Sequence, residues 1–560
     1  MTSVSGSDII SPMFIRTKPR PNGKISVQIV ESYRRADQVS QRIVRHVGQA
    51  VNQREVEELT RLAQTIIAEM ENQKRPLLPI FAPEDIYGPK PGAALCEDVV
   101  KIKDLREEQR VVEGVGEVFG KLYEDLGLGS ALGSAKADQP WNEALKTLVI
   151  ARLANPVSKL RTAAMLEDDY AIRLPVEKIY RTLDRLSERE AAVKALVAGA
   201  TRSLFRERVE ALFFDVTTLA FESVRPDGLR EFGYSKDGKF KETQVTLALV
   251  TTTAGLPLTY RLFPGNMYEG HTLTAMVAEI KKEYEVERVL LVADRAMFSD
   301  GNLDYMDKAG IRYIVAARLR RLPKEMRQRI LTDDDFRAAA VGDELAWLKE
   351  YAHGGRRLVV SYSPSRAQKD AAERERLVER LLKKVSGGKV RLSDVIPNHG
   401  TKKFLKVTGG EAVVDEGRIA EDARWDGIHG VITKEAELSA VETLSRYRGL
   451  WRIEDTFRLT KHDLKTRPIY HFTPARIQAH VLLCFVALSV AKQALYRLAV
   501  VKQPMSFDRL RNELLHVQSS LMVDRSTGRR YLVPSHVTVA VKEIYHAFGL
   551  KRSEVPRRLD

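Results

Sequence analysis

The sequence predicts a mixed α/β core set inside a larger, multidomain chain. Three observations predict it. Strand-like segments begin at residue 211, after a long stretch of helical periodicity. From there the segments run β-β-β-α-β-α-β. Acids stand within or directly after the most apolar of those strands, at Asp215 in "ALFFDVTTLA" and at Asp294 in "VLLVAD".

Size and charge are compatible with this reading. The chain has 560 residues, 44% hydrophobic and 29% charged, enough for several buried cores. It holds 90 Lys and Arg against 75 Asp and Glu, a formal net charge of +15. Such an excess favours a polyanionic partner, nucleic acid first. Two cysteines, Cys96 and Cys484, argue against a disulfide scaffold and against a Cys-based zinc site. The opening residues lack a basic and then apolar leader. The longest apolar run, Val481 to Ala491, is about eleven residues against the ~20 a membrane span needs. The expectation is a cytoplasmic, soluble protein with no membrane partner.

Taken in order, residues 1–90 form a basic segment. Two strands flank the Pro-Asn-Gly turn of "FIRTKPRPNGKISVQIVESYRR", a helix follows ("REVEELTRLAQTIIAEMEN"), and a Pro-rich joint spans Pro76 to Pro91. Residues 91–210 read as helical, serving either DNA-end binding or as scaffold. Residues 211–320 hold the first part of the α/β core, with Ser299 capping the helix after Asp294. Residues 321–440 are a β-rich insertion, with a hairpin at "HGGRR" and a highly charged helix near 365–385 that reads as a solvated surface. Residues 441–500 return to the core through "YRGLWRIEDTFRLTK", read as one helix, and a long apolar helix opened by Pro474. Residues 501–560 are a mixed tail.

A carboxylate in the apolar centre of a sheet costs several kcal/mol unless something compensates. Asp294 also stands at the carboxyl end of its strand, where α/β proteins gather their sites. In an RNase H-like sheet the first and fourth strands are neighbours, so Asp215 and Asp294 make half of a two-metal site. Glu454 supplies a third ligand from a helix packed on the sheet. Leu450, Ile453, Phe457 and Leu464 form that helix's apolar stripe, and Glu454 lies at its edge. Arg458, Lys461 and Lys465 extend its face as a cationic strip suited to DNA phosphates. The plain alternative for Glu454 is an i,i+4 pair with Arg458 on a solvated face.

Tyr447, Glu454 and Lys461 lie seven apart, which on an α-helix is roughly two turns with a drift of about 20°. With the three acids, this resembles the DDE transposases of bacterial insertion sequences. The closer resemblance is to the subgroup with a Tyr-x2-Arg-x3-Glu-x6-Lys helix and a β-rich insertion before the catalytic Glu. Leu450 stands at the Arg place of that pattern. "ADRAMFSDG" resembles the family's Asp-Arg segment and adds Arg295 as a DNA contact. The resemblance implies an RNase H-like, retroviral-integrase-like catalytic core. It implies two Mg²⁺ ions, with Mn²⁺ able to substitute, on Asp215, Asp294 and Glu454. Tyr447 and Lys461 would bind phosphates near the cut. The partners would be double-stranded terminal inverted repeats and target DNA, held by a homodimer on paired ends.

Three further features complete the reading. Trp347 and Trp425 are candidates for stacking on an extruded base, with core packing the main alternative. His462, His471 and His480 recur every nine residues, which points successive rings to opposite sides of a helix and argues against zinc. His271 reads as a helix cap or surface residue. Two other functions stay open at this stage: an RNase H-like nuclease without strand transfer, and a DNA-binding protein that has lost catalysis.

Overall fold

Alternating apolar and polar residues make β1 (Phe14–Pro19) and β2 (Ile25–Arg35), which pair antiparallel. A third strand, β3 (Gln38–Ala50), pairs along the other edge of β2. Described positions between 53 and 67 are helical, and Ala63 packs with Met13, Val27 and Ile29 in a small core. This is the first of two units, Met1–Glu97; the second is Asp98–Asp560. The structure, a computed structural model, describes residues 13–20, 25–35, 38–50, ten positions between 52 and 67, 100–204, 211–221, 225–233, 242–267, 269–284, 290–294, 299–385, 403–408 and 411–559. The Pro-Asn-Gly turn, the Pro-rich joint, Cys96 and Arg295 lie outside the described residues.

The second unit opens on a strand, β4 (Leu105–Val112), where helix was expected. Its ladder partner comes from the far end of the chain, so local periodicity carried no sign of it. Helices α1 (Gly114–Asp125), α2 (Gln139–Ala154), α3 (Lys159–Tyr170), α4 (Val176–Glu188) and α5 (Glu190–Leu204) follow. Ser158 caps α3 by accepting from the Arg161 N–H, and Phe119, Leu122, Leu145 and Leu183 fill the core between the helices.

Next come β5 (Ala211–Ala220), β6 (Gln244–Thr252), β7 (Pro257–Pro264), α6 (Glu269–Tyr284), β8 (Leu290–Ala293), α7 (Asp300–Lys308) and β9 (Arg312–Ala316). This is the expected β-β-β-α-β-α-β order, and Ser299 caps α7 as expected. The strands lie in the order β7-β6-β5-β8-β9. β5, β6 and β7 are antiparallel, while β8 and β9 run parallel to β5. That arrangement is RNase H-like. β5 and β8 are buried almost throughout, because both faces of the sheet are covered.

Beyond β9 the chain adds α8 (Lys324–Thr332), β10 (Arg337–Val341), β11 (Glu344–His353), β12 (Arg356–Tyr362), α9 (Pro364–Val385), β13 (Leu405–Thr408), β14 (Glu411–Val414), α10 (Glu416–Ala423) and β15 (Ile428–Thr433). The β11–β12 hairpin turns at Gly354 and Gly355, both at positive φ (58° and 71°), a conformation a side chain would oppose. β15 pairs with β9 and with β12, so the core sheet continues as β10-β11-β12-β15-β9-β8-β5-β6-β7.

The return to the core is made by α11 (Ala440–Arg448), α12 (Trp451–Arg458), a π turn at Leu459–Asp463, and α13 (Pro474–Val500). At 27 residues, with an 18-residue window of mean hydropathy 1.6, α13 has the length and composition of a membrane span, yet 83% of that window is buried inside the protein. It packs against α2 and α4 as a core helix. The chain ends with α14 (Phe507–Leu515), β16 (Gln518–Asp524), β17 (Arg530–Pro534), α15 (Val539–Ala547) and β18 (Arg557–Arg558). The second sheet is β18-β17-β16-β4.

Candidate active site

The Tyr447–Lys461 stretch is not one continuous α-helix. The Gly449 N–H is shared between the Ser445 and Arg446 carbonyls, and the N–H groups of Leu450, Arg452 and Ile453 reach back three residues, to Tyr447, Gly449 and Leu450, which tightens the coil. After Arg458 the π turn loosens it again. Two changes of pitch break the seven-residue register, so the alignment expected for Tyr447, Glu454 and Lys461 does not follow from helix geometry. Gly449 marks the reason for the first change. A Cβ there would lie 2.7 Å from the Phe213 ring, so only glycine lets the segment close down on β5. Leu450, Ile453, Phe457 and Leu464 are all buried, as the apolar stripe predicts.

Glu454 and Asp455 diverge from here. Asp455 accepts from Arg458 at 2.6 Å and from Lys492 of α13 at 2.9 Å. Burial pushes the Asp455 carboxyl up, but these two cations more than offset it and hold it below its ordinary range. Arg458 is thus paired with Asp455, not with Glu454. Glu454 is exposed and makes no ion pair or hydrogen bond among the described residues.

Asp294 follows the last residue of β8, and it too is exposed with no ion pair among the described residues. Asp294, Glu454 and Tyr447 line one cleft of about 1310 Å³. Tyr447 packs there beside His429 of β15, with ring centroids 5.0 Å apart. Asp215 is half-buried on β5. Its neighbours Phe214 and Ala293 are register partners, so Asp215 and Asp294 fall at the next step of two parallel strands. Asp215 does not line the cleft, and its Oδ1 accepts from the Val216 N–H at 2.7 Å.

The donor set is all carboxylate oxygen, the chemistry that Mg²⁺ and Mn²⁺ take. Among the described residues, no group of three or more His, Cys, Asp or Glu is arranged to hold a metal. The structure brings two of the three acids into the cleft and places the third one strand step away.

The opposite wall was not foreseen. Arg318, Arg320 and Arg321 leave the end of β9, and Arg366 and Arg374 come from α9, which had been read as a solvated surface. Its charge pattern hid the role, because a helix lining a polar cleft carries the same residues as one facing water. Some of these cations are committed: Asp422 holds Arg320 and Lys403, and Asp426 holds Arg374. Arg321 is exposed and has no side-chain partner among the described residues.

Among the tryptophans, Trp425 is buried in the core with Leu319 and Leu358, and Trp347 packs on Tyr362. Trp451, unremarked in the sequence, lines the cleft three residues before Glu454 and is 58% exposed. The i,i+3 spacing from the acid was its available signal. Lys461 lies within the π turn and Lys465 just past it, and neither lines the cleft. His471 and His480 face one another at 5.3 Å, contrary to the opposite directions expected of a single helix, because His471 lies on the irregular stretch before α13 and His480 within that helix.

Comparison with known proteins is consistent with this architecture. A family model described as Transposase DDE domain matches residues 210–490, and one described as IS1634 family transposase, N-terminal domain, matches residues 15–77. Among solved structures, the chain is similar to a piggyBac transposase synaptic complex with hairpin DNA. The identity is 9% and the TM-score 0.37, over 72% of this chain and 77% of that one. It is also similar to a Mos1 transposase paired-end complex with left transposon end, at 12% identity and a TM-score of 0.14, over 30% of this chain and 57% of the other. No curated protein matches the chain.

Proposed function

The chain belongs to the DDE-domain transposases of bacterial insertion sequences, and from that premise we propose how its own residues divide the work of transposition. It cuts the ends of its insertion sequence and joins the freed 3′-hydroxyl to target DNA. Asp215, Asp294 and Glu454 are the carboxylates of that reaction. The observation that supports this best is the shared cleft: Asp294 and Glu454, from a strand end and a helix, face one space with no ion pair among the described residues.

Enzymes of this family depend on a divalent metal. In this reading Asp294 and Glu454 would hold it with Asp215 of the adjacent strand, and the set would take two Mg²⁺ ions. When bound, such ions lower the pKa of an attacking hydroxyl and stabilise the leaving oxygen. The protein's part is to position the strand. Tyr447 donates its phenol hydrogen to a phosphate oxygen, and Arg321 and Arg318 neutralise phosphates along the opposite wall. Lys461, Lys465, Arg458 and Arg295 would take phosphates further from the cut. A homodimer would hold two ends together, and the work would be done in the cytoplasm.

The test uses purified protein, Mg²⁺, paired terminal inverted repeats and a target plasmid. Joined products are expected, and Asp215→Asn, Asp294→Asn and Glu454→Gln should each remove them while end binding persists. Wild-type cutting by the Glu454 variant would overturn the assignment of that residue. Cleavage without joined products would identify the hydrolytic alternative.

A further inference from the structure

Past Asp463 the chain leaves the helix, and residues 464–472 run as an irregular, extended stretch. That stretch is anchored from below. Arg152 Nη1 donates to the Leu464 carbonyl at 3.5 Å, and His480 Nε2 donates to the Thr466 carbonyl at 3.0 Å. The Thr466 hydroxyl donates to the Thr460 carbonyl at 2.9 Å, and Ile469 bridges in parallel to Phe221, just beyond β5. Extended chain turns alternate side chains to opposite faces. Ile469 and His471 are accordingly buried, while Tyr470 and Phe472 are 59% and 71% exposed.

Two large aromatic rings displayed on an anchored segment are not the product of fraying. An exposed cation stands on the same stretch. Lys465 is exposed and has no ion pair among the described residues. The buried Arg230 guanidinium, paired with Asp227 at 2.8 Å, lies 5.9 Å from the Phe472 ring and 5.7 Å from the Phe221 ring and holds the exposed aromatic in place from behind. Aromatic faces interleaved with cations suit unpaired nucleic acid, since every base offers a stackable face and every link a phosphate. Paired bases are already stacked on one another and have no free face to offer.

We infer that Tyr470 and Phe472 form a stacking platform for unpaired bases of the DNA strand that passes the cleft, with Lys465 on its phosphate. This rests on the transposase reading and deepens it by assigning a second contact region. Rings two residues apart on an extended chain are separated by ~7 Å, so each takes one base. Phe221, the residue after β5, lies six residues past Asp215 along the chain, a distance of about 20 Å at ~3.3 Å per residue. That corresponds to roughly six base steps of duplex, which places the opened bases about that far from the cut.

The experiment measures binding of the full chain to end duplexes in EDTA, so that no cutting competes. One duplex is fully paired; others carry a short mismatched bubble at varied distance from the cut. The wild type should prefer the bubble placed about six base pairs away. Tyr470→Leu with Phe472→Leu should lose that preference by about 10- to 100-fold, while Tyr470→Phe with Phe472→Trp should keep it. 5-Iodouracil in the bubble should photo-cross-link to Tyr470 or Phe472. Bubble binding by the leucine variant equal to wild type, or cross-links mapping elsewhere, would overturn the platform. Failure to bind even paired end DNA would instead overturn the transposition reading beneath it.

Discussion

The cleft and the ground beneath α12 treat charge in opposite ways. On the cleft side Glu454 and Asp294 are exposed and unpaired among the described residues. Beneath the helix Asp455 is held by Arg458 and by the buried Lys492, and deeper still Arg152 and His480 spend their donors on backbone carbonyls. The difference teaches which charges are free for a substrate and which are already used. A carboxylate in water costs little to keep and is available to an incoming cation. One locked beside a buried ammonium fixes the position of the helix instead.

The largest expected effect separates these two neighbours. Glu454→Gln should lower strand cutting and joining by at least about 10³-fold with an unchanged melting temperature, because no folded contact is lost. Asp455→Asn should do the reverse in kind. It leaves Lys492 buried without its partner and should destabilise the protein by about 3 kcal/mol in denaturant titration. A Glu454 variant that melts early, or an Asp455 variant that does not, would erase the contrast.

Acid sharpens the comparison from another side. Burial, then the charges of Lys159, Arg476 and Arg152, push the His471 imidazole down to about 4. Its folded pKa lies below the ordinary 6.5, so the unfolded chain binds more protons between those two values. Stability is therefore fully present above pH 6.5 and is lost as pH falls towards 4, by about 2 kcal/mol at pH 5 from this residue alone. His480, buried against Lys159, shifts in the same direction. Unfolding curves at pH 7 and pH 5 measure the slope, and His471→Asn should flatten it.

The smallest effect has the opposite sign. Lys159 is buried at the start of α3 with no ion pair among the described residues, and burial pushes its ammonium down to about 7. Lys159→Met should raise stability at pH 7 by roughly 1–3 kcal/mol, since an unpaired buried cation is replaced by an apolar chain of similar length. The gap from wild type should shrink as pH rises and close above 10.5, where the wild-type lysine is mostly neutral in both states.

Much of the core was legible before any coordinates. The order of strands and helices from 211 to 320, the cap at Ser299, the start of α13 at Pro474, and the buried stripe of α12 all follow from local periodicity and helix-start signals. Less of the candidate site could be read. The seven-residue spacing suggested one helical face, but Gly449 against Phe213 and the π turn after Arg458 alter the pitch on either side of Glu454. Neither feature has a periodic signal. Trp451, Arg321 and the cleft-lining face of α9 went unread because exposed polar and aromatic residues look alike whether they face solvent or a cleft.

Residue order alone determined that strands of apolar residues would carry Asp215 and end at Asp294, and that α12 would lie with Ile453 and Phe457 inward. These are consequences of side-chain periodicity, which acts over a few residues. Only the tertiary structure decided that β4 pairs with β16, that β15 carries the core sheet on to nine strands, and that Asp455 rather than Glu454 is tied down. Those outcomes depend on partners hundreds of residues away or on the packing of one helix over another, and such contacts leave no mark in the local sequence.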